Sequence, residues 1–267
     1  MEFEPLTRFY SLAEKMRNKN TVAHLPTDHR VLPTTKRYLE KEDIAWCLEA
    51  SPDQTRGPYG MGAVFAPMGC GKTQQTISWI RDQPEDFKIL LVVVRQTQAS
   101  NFSQEYPGMK NYLRIKNQSL YGKKRVVVCI NSLSRVVEPV MPHRLPQYDL
   151  LILDEIESII EGIVSNALSN GKSMQCEIWD LLISLIKGSK RVLFMDGIPT
   201  KRTIRYMERI GILQYIRVLE HHIQPDYRTY TMFHNGKLFI ENIQKDIKNK
   251  KNVVLISNSK QQLECYY

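Results

Sequence analysis

Stretches rich in β-branched and other apolar residues recur along the chain at Ala63–Ala66, Lys88–Val94, Val126–Ile130, Leu150–Leu153, Val192–Met195, Arg228–Phe233 and Val253–Ile256. Each is short enough for a strand, and several lack the polar alternation of a half-exposed one, so they read as strands covered on both faces. Between them, the spacing of apolar positions predicts helices over Lys72–Arg81, Gln98–Tyr106, Glu155–Ala167, Ser173–Lys187, Thr200–Ile210 and Lys237–Lys248. Strand and helix in alternation predict an α/β fold built on a parallel sheet. Ahead of this pattern lie a predicted helix at Leu6–Arg17, a proline-punctuated loop from Pro26 to Pro33, and an amphipathic segment at Glu40–Ala50. No chemistry is assigned to that region. Trp46 and Leu48, like Trp79 and Trp179, sit on predicted helices and read as packing residues.

The first chemical signal is Ala66-Pro-Met-Gly-Cys-Gly-Lys-Thr73, which follows the apolar run Met61–Phe65 and opens the predicted helix at Lys72. Strand, glycine-rich loop and helix are the elements a phosphate-binding P-loop requires, although Ala66 replaces its usual first glycine. Backbone N–H groups of the glycine-rich loop would close around a β-phosphate beside the positive end of the helix. Lys72 would reach the β- and γ-phosphates and Thr73 would place its hydroxyl on Mg²⁺. The expected ligands are therefore ATP and Mg²⁺, with Pro67, Met68, Gly69, Cys70, Gly71, Lys72 and Thr73 around them; the alternative is a fortuitous glycine-rich turn.

A second signal ends the third predicted strand after the loop. Tyr148-Asp-Leu-Leu-Ile-Leu-Asp-Glu155 is a buried strand closed by two carboxylates, at the end where parallel sheets place their sites. Asp154 would hold Mg²⁺ through water, and Glu155 would orient and deprotonate the water that attacks the γ-phosphate. Without the P-loop, the two acids would read as a cap and a first-turn acid of the following helix. Together with Lys72 they predict hydrolysis.

These motifs, with Met195-Asp196 after them, stand in the order found in superfamily 2 helicases, and the chain resembles one branch of them. The Ala-Pro-Met start of the loop, the Asp-Glu-x-x-Ser box at Asp154–Ser158, Cys129-Ile-Asn-Ser-Leu133, and Leu90–Arg95 leading into Thr97 resemble the helicase domain of herpesvirus-type replication origin-binding proteins, with relatives in other large DNA viruses and mobile elements. The resemblance implies an ATP-driven motor of two RecA-like lobes with nucleotide between them and single-stranded DNA across both. It implies that Arg95, Gln96 and Thr97 contact DNA backbone, as do Asn131, Ser132 and Leu133, and that Asp196 couples hydrolysis to lobe movement. Gly197 and Ile198-Pro199 depart from the usual residues after that aspartate, and Asp-Glu-Ile-Glu departs from the commoner Asp-Glu-Ala-Asp and Asp-Glu-Ala-His boxes.

The expected organisation is an extension over 1–59, a RecA-like first lobe over 60–211, and a linker with the start of a second lobe over 212–267. Asn252–Ser257 and Ser259–Leu263 look like the motif that opens a second lobe. The later motifs, with an arginine that stabilises γ-phosphate charge, do not follow before Tyr267, so a fragment with feeble ATPase activity of its own is expected. Two other readings remain: a nucleotide-gated DNA-binding module without turnover, and a P-loop nucleotide kinase, which the long separation of Thr73 from Asp154 and the adjacent Glu155 disfavour.

Composition modifies this picture only slightly. Over 267 residues, 42% hydrophobic and 24% charged content is ordinary for a globular protein, while a net charge of +9 favours a polyanionic partner, DNA or RNA. Lys123–Arg125, Lys187/Lys190/Arg191, Lys201/Arg202/Arg205 and Lys245–Lys251 are either nucleic-acid contacts or solvated faces, the first and third being better placed beside strand ends. Cys47, Cys70, Cys129, Cys176 and Cys265 form no Cys-x-x-Cys pair, which argues for a reducing compartment and against a metal cluster; His221-His222 lacks a third ligand. Cys70 is read as a small tolerated side chain. With no signal sequence or apolar stretch of membrane-span length, an intracellular, soluble protein is expected, with other replication proteins as further partners.

Overall fold

In the computed structural model, residues 31–49, 60–115, 118–140, 145–164, 172–221 and 236–251 are described. Their strands are β1 (Val31–Thr34), β2 (Gly60–Phe65), β3 (Ile89–Val93), β4 (Lys110–Asn111), β5 (Arg125–Cys129), β6 (Leu150–Asp154), β7 (Arg191–Asp196) and β8 (Ile216–His221). The helices are α1 (Lys41–Leu48), α2 (Lys72–Arg81), α3 (Gln96–Glu105), α4 (Ile156–Val164), α5 (Lys172–Gly188), α6 (Lys201–Arg209) and α7 (Gly236–Lys248). Eight strands form one sheet in the order β1-β8-β2-β7-β6-β3-β5-β4, and every neighbouring pair is parallel. This is the α/β, RecA-like arrangement expected, in which β7 separates the strand before the P-loop from the strand that ends in Asp154.

Burial explains why the strands read as apolar runs. All residues of β2, β3 and β6 are buried, because helices cover both faces of a parallel sheet. α2 begins and ends where its sequence pattern places it, and the other described helices agree to within two residues where their ends are described. The predicted strands Arg228–Phe233 and Val253–Ile256, the helix Leu6–Arg17 and the motif at Asn252–Leu263 lie outside the described residues.

The chain divides into two compact units at Gln224 and Pro225. The sheet lies in the first, and α7 in the second. Within the first unit the sheet is wider than the span 60–211: β1 adds to it from the N-terminal side, and β8 pairs between β1 and β2. The boundaries expected at 60 and 211 therefore fall inside the structural unit. β8, Ile-Arg-Val-Leu-Glu-His, carries polar residues among its apolar ones, β1 contains Pro33, and β4 is only two residues long, which hides all three from a pattern search.

α1 lies directly on β2, and two glycines permit it. A Cβ on Gly62 would stand 2.4 Å from Cys47 Cβ and 2.8 Å from the Cys47 carbonyl oxygen; one on Gly60 would stand 2.2 Å from the Leu48 carbonyl oxygen. Leu48 is buried, and Trp46 is partly buried against the core with the Arg217 guanidinium 5.4 Å from its ring centroid. Arg217 also donates to the Trp46 carbonyl at 2.8 Å and to Glu49 at 2.7 Å, fastening α1 to β8. Trp79 packs edge-on to Phe87 and Trp179 edge-on to Tyr206, so all three tryptophans are packing residues. Among the described residues no cluster of His, Cys, Asp and Glu could hold a metal, and no helix is long and apolar enough to cross a membrane.

The glycine contacts yield a pair of opposite expectations. Gly62→Ala must push α1 off β2 and should lower unfolding stability by about 1–3 kcal/mol, the usual cost of overpacking. Gly197→Ala should change it by less than about 0.5 kcal/mol, since a Cβ there meets nothing within 4 Å and its backbone is outside the left-handed region. Urea unfolding followed by circular dichroism measures both; equal stability of Gly62→Ala and the parent would contradict direct helix-on-strand packing.

Candidate nucleotide site at the strand ends

Three adjacent strand ends build the site. Phe65 is paired with Asp196 and Asp154 with Met195, so the P-loop, Asp196 and Asp154 emerge side by side from β2, β7 and β6. The Ala66 N–H donates to the Asp196 carbonyl at 3.0 Å, extending the β2–β7 ladder into the loop. The loop then turns through Gly69 at φ 82° and Gly71 at φ 91°, left-handed conformations that glycine adopts without steric cost. Gly71 is the N-cap of α2 and supplies no side-chain cap, so the first-turn N–H groups of that helix keep their donor capacity.

The resulting cleft has a volume of about 600 Å³ and takes in Met68, Gly69, Gly71, Lys72, Thr73, Asp154, Glu155, Asp196 and Gly197 from the expected loops. A Cβ added to Gly69 would meet nothing within 4 Å, so the loop borders open space there. Pro67 and Cys70 do not line it. The Pro67 carbonyl instead accepts a 3.2 Å hydrogen bond from Lys72 Nζ, which also donates to the Ala66 carbonyl. Cys70 is buried behind the loop, its carbonyl accepting from the Leu39 N–H at 2.8 Å, and burial raises its thiol pKa, which leaves little thiolate and agrees with a packing role.

Burial dominates the electrostatics. It lowers the Lys72 pKa, with Asp154 the leading group that opposes the shift. It raises the Asp154 carboxyl from 3.8 to about 7, with neighbouring Glu155 adding to the rise and Lys72 working against it. Burial also raises Asp196, opposed by the Glu157 and Gly197 N–H groups that donate to its carboxylate at 2.9 and 2.6 Å. Glu155 has φ 58°, an uncommon conformation for a non-glycine residue, as the chain turns sharply from β6 into α4.

A family description, origin of replication binding protein, matches residues 43–258. That match covers more than half of the chain. The chain belongs to this family of origin of replication binding proteins. It is 33% identical over 148 residues to the replication origin-binding protein of human herpesvirus 6A (strain Uganda-1102), covering 54% of this chain and 17% of the relative. It is 30% identical over 207 residues to R8, an uncharacterised helicase-like protein of Acanthamoeba polyphaga mimivirus, covering 74% of this chain and 19% of that protein. The replication origin-binding protein of human herpesvirus 2 (strain HG52) is 26% identical over 215 residues, or 77% of this chain and 23% of its own length. The chain thus spans about a fifth of the length of these curated relatives.

In this origin-binding family member, the residues expected at a DNA edge fall together. β3 and β5 are neighbours, with Val93 paired to Cys129, so Arg95–Thr97 and Asn131–Ser132 follow adjacent strand ends. Arg95, Gln96, Thr97 and Asn131 are exposed and Ser132 is half-buried. Leu133 is fully buried, so it belongs to the core and not to that edge.

Sequence reasoning missed two features. Gln74, Gln98, Phe102, Glu105 and Ser158 also line the cleft; the spacing of Gln98, Phe102 and Glu105 at i, i+4 and i+7 marks one face of α3. Glu157, meanwhile, joins α4 to α6. Its carboxylate accepts from Thr200 Oγ1 at 2.5 Å, Thr203 Oγ1 at 2.7 Å and Arg202 Nε at 2.5 Å, where the Arg202 side chain is 4% exposed. Thr200 caps α6 through the Thr203 N–H, so the Asp196 loop is fixed at both ends by residues of one network. A larger groove of about 1220 Å³, bordered by Met174, Ile178 and Leu181 of α5, contains none of these motif residues.

The raised Asp154 carboxyl has a stability consequence with a definite sign. The unfolded chain releases this proton near pH 3.8 and the folded chain near 7, so the folded state holds the extra proton between those values and loses stability as pH rises through that window. Without nucleotide and Mg²⁺, Asp154→Asn should therefore be more stable than the parent at pH 8 by about 1 kcal/mol or more, with the advantage shrinking toward pH 4. Urea midpoints across pH 4–8 check it; no advantage at pH 8 would contradict the burial of an ionised Asp154.

Proposed function

We propose that the first unit of this chain is an ATP-binding and ATP-hydrolysing lobe that drives movement on DNA within an origin-binding helicase. The reading is supported above all by one observation: Lys72, Thr73, Asp154 and Glu155, from loops far apart in sequence, line a single cleft. A nucleoside triphosphate suits it. The first turn of α2 offers backbone N–H groups, the glycine turns keep side chains out, and Lys72 brings positive charge.

Thr73 and Asp154 are hard oxygen donors of the kind that suit Mg²⁺, which would supply neutralisation of charge on the β- and γ-phosphates. Lys72 exchanges its carbonyl partners on the loop for phosphate oxygens. Glu155, which lines the cleft directly after β6, holds and deprotonates the attacking water. Arg95 and Asn131 contact the phosphodiester backbone from neighbouring strand ends.

Two measurements test these assignments separately. Lys72→Ala should weaken the affinity for a fluorescent ATP analogue at least tenfold, about 1.4 kcal/mol, through loss of charge-assisted contacts; unchanged affinity at moderate salt would sink the nucleotide site. For single-stranded DNA, binding through about three or four phosphates gives a slope of log affinity against log salt of about −2 to −3. Arg95→Ala should make that slope about one unit shallower and weaken all sequences alike, as expected of a backbone contact. An unaltered slope in oligonucleotide titrations would remove Arg95 from the DNA edge.

A further inference from the structure

The cleft has a wall that the P-loop does not supply. α3 lays Gln98, Phe102 and Glu105 along it, in company with Lys72, Thr73 and Gln74. The three residues before Gln98 face elsewhere: Arg95, Gln96 and Thr97 are exposed at the end of β3, beside Asn131 after β5. One helical turn thus borders the nucleotide cleft with one residue and the strand-end edge with its neighbours.

Gln98 stands at the join. Its Oε1 accepts the Arg95 N–H at 3.1 Å, closing the first turn of α3. Its amide NH₂ has no partner among the described residues, although the side chain is half-buried and lines the cleft. A primary amide is planar and rigid, with its donor and acceptor ends fixed relative to one another. An acceptor that captures the NH₂ group therefore also sets the orientation of Oε1, and with it the position of the Arg95 N–H and the start of α3.

We propose that Gln98 is a positioning residue that transmits occupancy of the terminal-phosphate end of the cleft to the Arg95–Thr97 edge. The inference rests on the reading of the cleft as an ATP site and of that edge as a DNA contact. With a nucleoside triphosphate, the NH₂ group donates to a γ-phosphate oxygen or to a water held there, and the first turn of α3 is ordered for DNA. With a diphosphate that acceptor is missing, and the Gln98 side chain is held only at Oε1, by the Arg95 N–H. DNA affinity then depends on the number of phosphates on the nucleotide, and by reciprocity DNA tightens binding of the triphosphate.

The test is the dissociation constant of a fluorescein-labelled 20-nucleotide oligo-dT for the full chain, measured by anisotropy with Mg²⁺ and no nucleotide, saturating ADP, or a saturating β,γ-imido ATP analogue. The parent should bind DNA about fivefold or more tightly with the ATP analogue than with ADP, within the usual range of coupling between sites. Gln98→Met, which has neither donor nor acceptor, should bring the ratio within about twofold of one. Gln98→Glu keeps an acceptor for the Arg95 N–H but no donor. It should restore nucleotide-free DNA affinity to the parental value, within about twofold, without restoring the ratio.

A role confined to closing the helix turn would change DNA affinity equally in all three nucleotide states and leave the ratio at the parental value, which would overturn the proposal. So would a parent whose DNA affinity ignores the nucleotide, or a parental ratio in Gln98→Glu. Failure of the underlying reading is recognised independently, because it appears as nucleotide binding indifferent to Lys72→Ala or as DNA binding indifferent to Arg95→Ala.

Discussion

The parallel register of β2, β7 and β6 is the constraint on which the site depends. Neighbouring strands lie about 4.8 Å apart, so β2 and β6 are separated by about 10 Å with β7 between them. The pairings Phe65 with Asp196 and Met195 with Asp154 bring the three C-terminal ends level, and the Ala66 to Asp196 hydrogen bond carries that alignment into the loop. A slip of one residue in any of these strands would turn its side chains to the opposite face and misplace the group at its end. Complete burial of β2 and β6 makes such a slip costly, because polar groups beyond their ends would be drawn into the core.

That rigidity supports local features which on their own oppose folding. Asp154 is 7% exposed, with its carboxyl raised by burial; Asp196 is raised in the same direction; and Lys72 is lowered. In each case burial is the leading cause, and it disfavours the charged form. Glu155 adds a backbone in the left-handed region, a strain that typically costs about 1–3 kcal/mol and persists only where the surroundings enforce it. The enforcement here is visible on both sides: β6 is buried without exception before Glu155, and the five buried apolar residues of α4 anchor the chain after it.

The centre of this fold was legible in the sequence, and its margins were not. Val-Val-Val and Leu-Leu-Ile-Leu report the central strands directly, because both faces of such strands are covered and no polar alternation dilutes them. The glycine-rich loop was legible for a different reason: Gly69 and Gly71 occupy backbone conformations other residues resist, so the conformation itself selects those letters. β8 and β1 sit toward one margin of the sheet and mix polar with apolar positions, which leaves no period to detect. Gln98, Phe102, Glu105 and the Glu157–Arg202 contact were hidden because they depend on which helices meet across the sheet. Their participation is set by packing between elements remote in sequence, such as residue 157 against residue 202. Leu133 illustrates the converse, since adjacency to Asn131 and Ser132 suggested an exposed contact while the 3₁₀ turn over Ile130–Val136 points its side chain into the core.

The Glu157 network shows why the two acidic loops behave as one body. A buried guanidinium paired with a carboxylate adds little net stability compared with apolar packing, but removal of either partner strands a charge and commonly costs about 3–5 kcal/mol. Here the same carboxylate also holds Thr200 and Thr203, while the Glu157 N–H holds Asp196. The start of α4 and the start of α6 therefore cannot separate without breaking several hydrogen bonds at once in a site largely shielded from water. On the other side of the cleft, the first turn of α3 is tied to Arg95 by two hydrogen bonds, from the Arg95 N–H to Gln98 Oε1 and from the Ala99 N–H to the Arg95 carbonyl, each at 3.1 Å. The two walls are therefore held differently: the loops carrying Asp154, Glu155 and Asp196 are joined through the Glu157 network, whereas the first turn of α3 is held to Arg95 within its own element.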